Sequence, residues 1–236
     1  MKLALKAVLL TLSLGAVAAP KYSVTVFERP FTMPRNSFES VLHFTDDNML
    51  ALGADYGITD HTQIGLGWDG FDTAGNMPTQ KISFNAAQFL FSTRHVSSMA
   101  TFSMPFNFNR MVLQEVSLGM PTYIPLVRGK VNLVLLENLA KINWLAETYA
   151  DFKIETRLSW QATHALCLNL ITSPATLSTS GNHAHIIQAT PLKFKALYAI
   201  TPMVDVFGSI GLNNIQNASG LSGMLGVALR GGDIEG

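Results

Sequence analysis

The sequence predicts an all-β protein, a transmembrane antiparallel up-and-down β-barrel of about twelve strands, with about ten as the smaller alternative. The first observation behind this prediction is a repeated alternation between large apolar residues and small or charged ones. The second is that the chain is 48% hydrophobic, yet beyond its N-terminus it has no run of about 18 apolar residues, the length that a spanning helix needs. A closed barrel is the other structure that a bilayer permits.

The clearest alternation lies in residues 49–71, where two runs are joined by a short polar turn. Side chains on a strand alternate between its two faces. One face of each run is large and apolar: Leu50, Leu52, Ala54 and Tyr56 in the first run, and Ile64, Leu66 and Trp68 in the second. The opposite faces are small, glycine-rich or charged. A soluble β-sandwich is the alternative, but it would place long charged residues on its wet face, so the pattern favours a barrel that is apolar outside and polar within.

The N-terminal residues 1–18 are predicted to be a cleaved secretory signal peptide. Lys2 and Lys6 form a basic start, residues 7–14 an apolar core, and residues 16–18 a small-residue cleavage site. We then expect a periplasmic leader at 19–36, the barrel at 37–230 and a C-terminal tail at 231–236. Charges are nearly balanced after cleavage, so nothing indicates nucleic-acid binding. The single cysteine, Cys167, excludes an internal disulfide.

Aromatic residues precede short polar turns at nearly regular intervals of 35, 32, 37 and 38 residues. An amphipathic ring at the end of a strand suits the lipid–water boundary. We therefore predict an interfacial girdle at one end of the barrel, formed by Tyr56, Phe91, Tyr123, Trp160 and Tyr198. Short turns at this end and longer loops at the other place both chain ends on the periplasmic side, which requires an even number of strands.

Charged residues alternate with apolar ones inside several predicted strands, most clearly in residues 150–160. The predicted lumen-lining residues are Asp55, Asp69, Glu115, Lys130, Asp151, Lys153, Glu155, Arg157, Lys193, Lys195, Asp205 and Arg230. Acidic and basic residues are equally represented, so a lining of this kind predicts weak charge selectivity. The alternative is a structural network of ion pairs, because an isolated charge away from water is costly.

Three features leave the assignment of individual strands open. Residues 82–91 change face near Ala87 and Gln88, which indicates either a β-bulge or a wrong boundary. Pro105, Pro121 and Pro191 fall inside predicted strands, where each removes a hydrogen-bond donor.

No motif indicates a cofactor, a metal site or a catalytic residue. Residues 65–70 match GxGxxG, but a loop follows them rather than the helix that dinucleotide binding needs. A metal site would need several histidines to converge. The histidines lie in or beside separate turns and loops: His61, His95, His164, His183 and His185.

The segment ERPFTMPRNSFES (residues 28–40), followed by YGITDHTQIGLG (56–67), resembles Gram-negative outer-membrane β-barrel proteins, in particular small porin-like barrels of uncharacterised function. The resemblance covers residues 37–230 and the signal. It implies a location in the cell outer membrane, contact with outer-membrane lipids and delivery by the barrel assembly machinery. Such barrels usually finish on an aromatic residue, whereas this chain ends GVALRGGDIEG.

The main functional hypothesis from the sequence is a passive diffusion channel for small hydrophilic solutes, without enzymatic activity. A non-conducting structural or adhesion barrel, with binding carried by its loops, is the first alternative. A barrel-embedded hydrolase acting on the envelope is the second, although no serine or histidine is singled out for it.

Overall fold

The computed structural model describes residues 23–46, 49–72, 81–107, 111–113, 115–143, 149–180, 183–187, 190–215 and 219–232. Within these ranges, the side chains of residues 69–72, 149, 180, 183–187 and 219 lie outside the description. The predicted signal peptide at 1–18 and the last four residues of the predicted tail also lie outside the described residues.

The described chain folds into strands, preceded by one short 3-10 turn at Val26–Glu28. The strands of the first half are β1 Ser37–Thr45, β2 Met49–Thr59, β3 Thr62–Asp72, β4 Lys81–Ser92, β5 Ser97–Asn107, β6 Val112–Leu113, β7 Glu115–Gly119, β8 Thr122–Val127 and β9 Val131–Leu135. Those of the second half are β10 Ala140–Asn143, β11 Tyr149–Lys153, β12 Thr156–Gln161, β13 Leu166–Thr172, β14 Thr176–Ser180, β15 His183–Ile187, β16 Leu192–Thr201, β17 Val204–Asn214 and β18 Ser219–Gly232. Among the described residues, no helix has the length and apolar character to cross a membrane.

The sheet closes on itself because β1 pairs antiparallel with both β2 and β18. We call one passage of the chain from one end of the barrel to the other a crossing. Several crossings are interrupted and contain more than one strand. Strands β6–β8 form one such crossing, and β9 with β10, β11 with β12, β13 with β14 and β15 with β16 form four more. Together with the seven uninterrupted strands, these make twelve crossings. The prediction of a closed antiparallel barrel with twelve strands is confirmed.

Tight turns collect at one end of the barrel, which we call the short-turn end. They comprise residues 60–61, 93–96, 128–130, 162–165 and 202–203. The barrel also begins and finishes there, since Ser37 of β1 is the Cα partner of Gly232 of β18. The last strand thus continues two residues beyond Arg230, the position at which the sequence placed the end of the barrel.

The barrel is apolar on the outside and polar within. Large side chains that point outward are strongly exposed, among them Leu66 (59%), Ile210 (63%) and Leu225 (71%). By contrast, the buried set consists mostly of polar or charged residues, including Asn107, Asn169, Ser159, Asp205 and Arg230. This arrangement excludes the soluble sandwich, in which the large side chains would form the core.

Proline residues coincide with interruptions of the ladder. Pro121 lies between β7 and β8, and its carbonyl accepts a hydrogen bond from the Met99 amide at 3.2 Å. Pro191 immediately precedes β16. Pro105 lies within β5 and pairs with Ser83 of β4, but on the other side of β5 it falls between residues 101–103, which pair with β7, and residues 106–107, which pair with β6. The predicted face change in β4 is a bulge between Phe89 and Phe91, slightly later than the sequence indicated.

We predict that Leu66→Arg lowers the free energy of unfolding by about 2–4 kcal/mol in a bilayer, because it places a charge on the lipid-facing surface near the middle of a strand. His95→Arg adds the same side chain to an exposed turn and should change stability by no more than about 0.5 kcal/mol. Urea titration in lipid vesicles measures both values. Equal stability of the two variants would contradict the outward orientation of Leu66.

Candidate pore and its lining

Charged residues line the inner face of the barrel in the part that the structure describes. Cross-strand partners share a face, so the buried Val134 places its partner Arg157 inside, and the buried Thr176 does the same for Lys153. The structure places ten of the predicted lining residues on this face: Asp55, Glu115, Asp151, Lys153, Glu155, Arg157, Lys193, Lys195, Asp205 and Arg230. Their part in the passage of solutes stays a prediction.

Two predicted lining residues are not placed on the inner face. Lys130 is exposed in the tight turn between β8 and β9, where its amide bonds to the carbonyl of Val127 at 2.9 Å. Its assignment to the lumen was wrong, because the strand ends before it. Asp69 belongs to β3, but its side chain lies outside the description.

Asp205 is the centre of an ion-pair network near the short-turn end. Its carboxylate, whose side chain is fully buried, accepts hydrogen bonds from both terminal nitrogens of Arg29, at 2.5 and 2.9 Å. Arg230 Nη2 donates to the same carboxylate at 2.7 Å and lies 2.5 Å from Glu39 Oε2. Hydrogen bonds between ionised groups are roughly twice as strong as neutral ones. The network therefore ties β1, β17, β18 and the preceding leader together.

A second ion pair joins a break in the wall to the neighbouring strand β12. Between β9 and β10 the chain leaves the strand at Leu136, whose φ is 60°. Glu137 then reaches Arg157 Nη1 at 2.6 Å. Gly119 makes room for this break, because a Cβ there would collide with the Glu137 carbonyl. The sequence did not indicate Glu137, since a residue in a strand break has no alternation that could reveal its direction.

Other polar groups fill the interior around these pairs. Both carboxylate oxygens of Glu155 accept hydrogen bonds from Asn138 Nδ2, each at 3.0 Å. Glu115 forms an ion pair with Lys141 at 2.7 Å. Some buried polar atoms have no hydrogen-bond partner among the described residues: Asp151 Oδ1, Arg157 Nε, Gln161 Oε1 and Ser173 Oγ. Buried polar groups in folded proteins are satisfied by protein or by ordered water. These atoms lie among the charged groups of the inner face, so the interior is polar as well as closely packed at these positions.

The predicted aromatic girdle is largely on the outside. Tyr56, Phe91, Trp160 and Tyr198 are each about half exposed, with exposed fractions of 45 to 50%. Each lies just before a tight turn, so all four are at the short-turn end. Tyr123 was wrongly assigned to the girdle. Its partner is the buried Val134, and its ring faces the interior, where it contacts Phe31 at 4.7 Å between ring centroids.

The described part of the leader, residues 23–36, lies against the short-turn end. Thr25 Oγ1 is 2.7 Å from Nδ1 of His164, in the turn between β12 and β13. Arg29 binds Asp205 on β17. The Phe31 ring stacks on Phe89 of β4 at 5.7 Å between centroids.

The leader then runs back to the wall at β2 and β3. The Met33 amide donates to Gln63 Oε1 at 2.8 Å, and the Thr32 hydroxyl donates to the Asp60 carbonyl at 3.0 Å. At Gly57 the wall and the leader are so close that a Cβ would collide with the carbonyl oxygens of Met33 and Pro34.

A cavity of about 300 Å³ lies between the leader and the inner wall. On the leader side it is bounded by Phe27, Arg29 and Phe31, and on the wall side by residues that include Arg157, Cys167 and Lys195. Lys195 Nζ also lies 4.7 Å from the centroid of the Phe207 ring. The cavity is thus bordered by four cations, the carboxylate of Glu39, three aromatic rings and a buried thiol.

The histidines and the glycine motif have local roles in the described structure. His61 stacks on Phe89 at 5.3 Å between centroids, and His164 contacts the leader. The side chains of His183 and His185 lie outside the description. In the described residues, no group of three or more histidine, cysteine or carboxylate side chains is arranged to hold a metal ion. Residues 65–70 lie within β3, where small residues alternate along a strand.

No protein-family model matches the sequence, and a search of curated proteins finds no significant match. Solved structures do match. The NanC porin superimposes with a TM-score of 0.56 at 10% identity, covering 81% of this chain and 98% of the porin. The KdgM porin gives a TM-score of 0.56 at 7% identity, covering 82% of this chain and 98% of its own.

The fold is that of an outer-membrane porin. The KdgM porin in complex with disordered oligogalacturonate also matches, with a TM-score of 0.53 at 7% identity and the same 82% and 98% coverage. At such identities the likeness establishes the architecture of this porin-like barrel. What its lumen admits has to be argued from the residues on its own inner face.

We predict that Asp205→Asn destabilises the barrel by about 3–5 kcal/mol, because it leaves two buried arginines facing a neutral amide. Glu115→Gln removes the same charge from a more exposed pair and should reduce stability by less than about 1 kcal/mol. The two free energies of unfolding are compared by urea titration in the same vesicles. A smaller effect for Asp205→Asn than for Glu115→Gln would contradict the central role of Asp205.

Proposed function

We propose that this protein is an integral outer-membrane barrel that acts as a passive diffusion channel for small hydrophilic solutes. The observation that carries the proposal is the inverted distribution of side chains, in which polar residues such as Ser159, Asn169 and Asp205 are buried while Leu66 and Leu225 are exposed. Charged and polar groups inside a barrel pair with one another or meet water, and a polar interior that is enclosed by an apolar outer surface is a path for polar solutes through a bilayer.

The size of the barrel supports the same function. An eight-stranded barrel has an interior that its own side chains just fill, and the diameter grows with the number of strands. Twelve crossings therefore leave space beyond the side chains. The two porins named above share this architecture, and a porin fold favours a channel over an enzyme.

The charge pattern of the lining indicates little preference for cations over anions. Acidic groups pair with basic ones along the lumen, as in Arg157 with Glu137 and Lys141 with Glu115. Paired charges leave a weak net field along the path, and charge selectivity follows that field.

The proposed location is the cell outer membrane, after export and cleavage of the signal peptide. Its support is the girdle of outward aromatic rings at one end, together with the apolar outer surface between the two ends. The proposed partners are outer-membrane lipids and the barrel assembly machinery.

A non-conducting structural barrel is the second candidate. The observation in its favour is that the leader covers part of the short-turn end, where Phe31 packs between Phe89 and Tyr123. Conductance separates the two functions, because a structural barrel holds no continuous aqueous path.

Single-channel recording in planar bilayers tests the proposal. We expect discrete openings from the folded protein and a weak preference between cations and anions. Lys195→Glu should shift the permeability ratio towards cations by about twofold or more, because it reverses a charge that faces the lumen.

Lys130→Glu is the matched control, since it makes the same change in an exposed turn and should leave the permeability ratio unchanged. An equal shift of the permeability ratio in both variants would mean that the residues that set charge selectivity lie outside the lumen. Absence of openings from folded protein, in the wild type and in variants that loosen the leader, would contradict the channel.

A further inference from the structure

The leader crosses the mouth of the barrel rather than following its rim. We propose that residues 23–36 form a plug that closes the short-turn end, and that separation of Arg29 from Asp205 opens the path. This inference rests on the proposed channel function, because a plug regulates passage only if the lumen conducts.

The contacts of the leader are distributed around the barrel. In the order of the twelve crossings, Phe89 lies on the fourth, Tyr123 on the sixth, His164 between the eighth and the ninth, and Asp205 on the eleventh. The fourth and the eleventh crossings lie on opposite sides of a closed ring of twelve. A segment of a few residues that contacts both must pass over the opening between them.

The bonds that hold the leader are few and directional. Arg29 makes the single ion pair recorded for the described leader, and its side chain is only 7% exposed. Phe31 contributes ring contacts but is 38% exposed, so its packing is incomplete. The bidentate pair with Asp205 is therefore the strongest attachment of the segment that crosses the mouth.

The junction with the wall provides a pivot for this segment. The Asn36 amide donates to the Gly57 carbonyl at 2.9 Å, and Asn36 itself has a φ of 59°. These contacts hold the end of the leader next to β2, independently of Arg29. Thr32 and Met33 are also bonded to the wall independently of Arg29. Loss of the Arg29 pair would leave residues 23–31 held by the Thr25–His164 contact and the ring contacts of Phe31, while residues 32–36 and the start of β1 stay in place.

Cys167 reports the position of the plug. This residue, the only cysteine of the sequence, is 2% exposed and borders the cavity beneath the leader. It lies near the start of β13, close to the short-turn end. A hydrophilic thiol reagent can reach it from that end only if the leader moves away.

The experiment measures the rate at which a small charged methanethiosulfonate reagent labels Cys167 in the folded full chain, together with single-channel conductance. We expect Arg29→Ala to raise the labelling rate about tenfold or more, since it removes charge-assisted hydrogen bonds that close the mouth. The fraction of time that the channel is open should rise in the same variant.

Arg35→Ala is the matched control. Arg35 belongs to the same leader, but its side chain is exposed, and its contact with the wall is made by the backbone amide, which donates to Asp60 Oδ1 at 3.1 Å. Gly57→Val is a second test that leaves the Arg29 pair intact, because the added side chain collides with the leader backbone. It should also accelerate labelling. Heat-modifiable migration on gels establishes that each variant is folded.

Labelling that is equally slow in the wild type, Arg29→Ala and Gly57→Val would overturn the plug. Unchanged labelling together with steady conductance would contradict the plug and support the channel. Accelerated labelling in both variants without conductance in any of them would support a leader that covers the mouth, and would contradict the channel instead.

Discussion

Closure of the backbone ladder between β1 and β18 is the constraint on which the rest of the structure depends. The two strands pair over their whole common length, from Ser37 with Gly232 to Thr45 with Met224. An unpaired backbone group in hydrocarbon costs several kcal/mol, so only a sheet without free edges can present an apolar outer surface to lipid. A cross-strand ion pair reinforces this seam from the inside, because Glu39 and Arg230 are Cα partners and their charged atoms lie 2.5 Å apart.

The architecture could be predicted from sequence because alternation is a local property. Leu66 and Trp68 point away from Gly65 and Gly67 wherever a strand forms, and the predicted hairpin at 49–71 corresponds to β2 and β3. The positions of the short turns then determined the number of crossings, since each turn separates two strands. The inward direction of most charged residues follows from the same alternation, because a closed sheet has one face that is shielded from lipid.

Residues next to interruptions could not be placed in this way. Tyr123 follows Pro121, where β7 ends and a new strand segment begins. The alternation of side chains does not continue across this break, so it could not predict the direction of the Tyr123 ring. Glu137 lies in the break after Leu136, and Lys130 in a turn, where alternation does not apply. Arg29 lies in a segment without regular strand structure, and its partner Asp205 is 176 residues away in the chain. Only the closed fold brings those two charges together.

The Asp205 carboxylate stabilises both the seam between β1 and β18 and the position of the leader, but the seam depends on the leader much less than the leader depends on Asp205. Asp205 binds Arg29 from the leader and Arg230 from β18, and Arg230 in turn binds Glu39 of β1. If Arg29 leaves, Asp205 keeps its pair with Arg230, so the seam between β1 and β18 retains its ion pairs. If Asp205 is lost, both arginines lose a partner. Departure of the leader is therefore compatible with an intact barrel, which is the physical requirement for a plug that opens a pore without unfolding its wall.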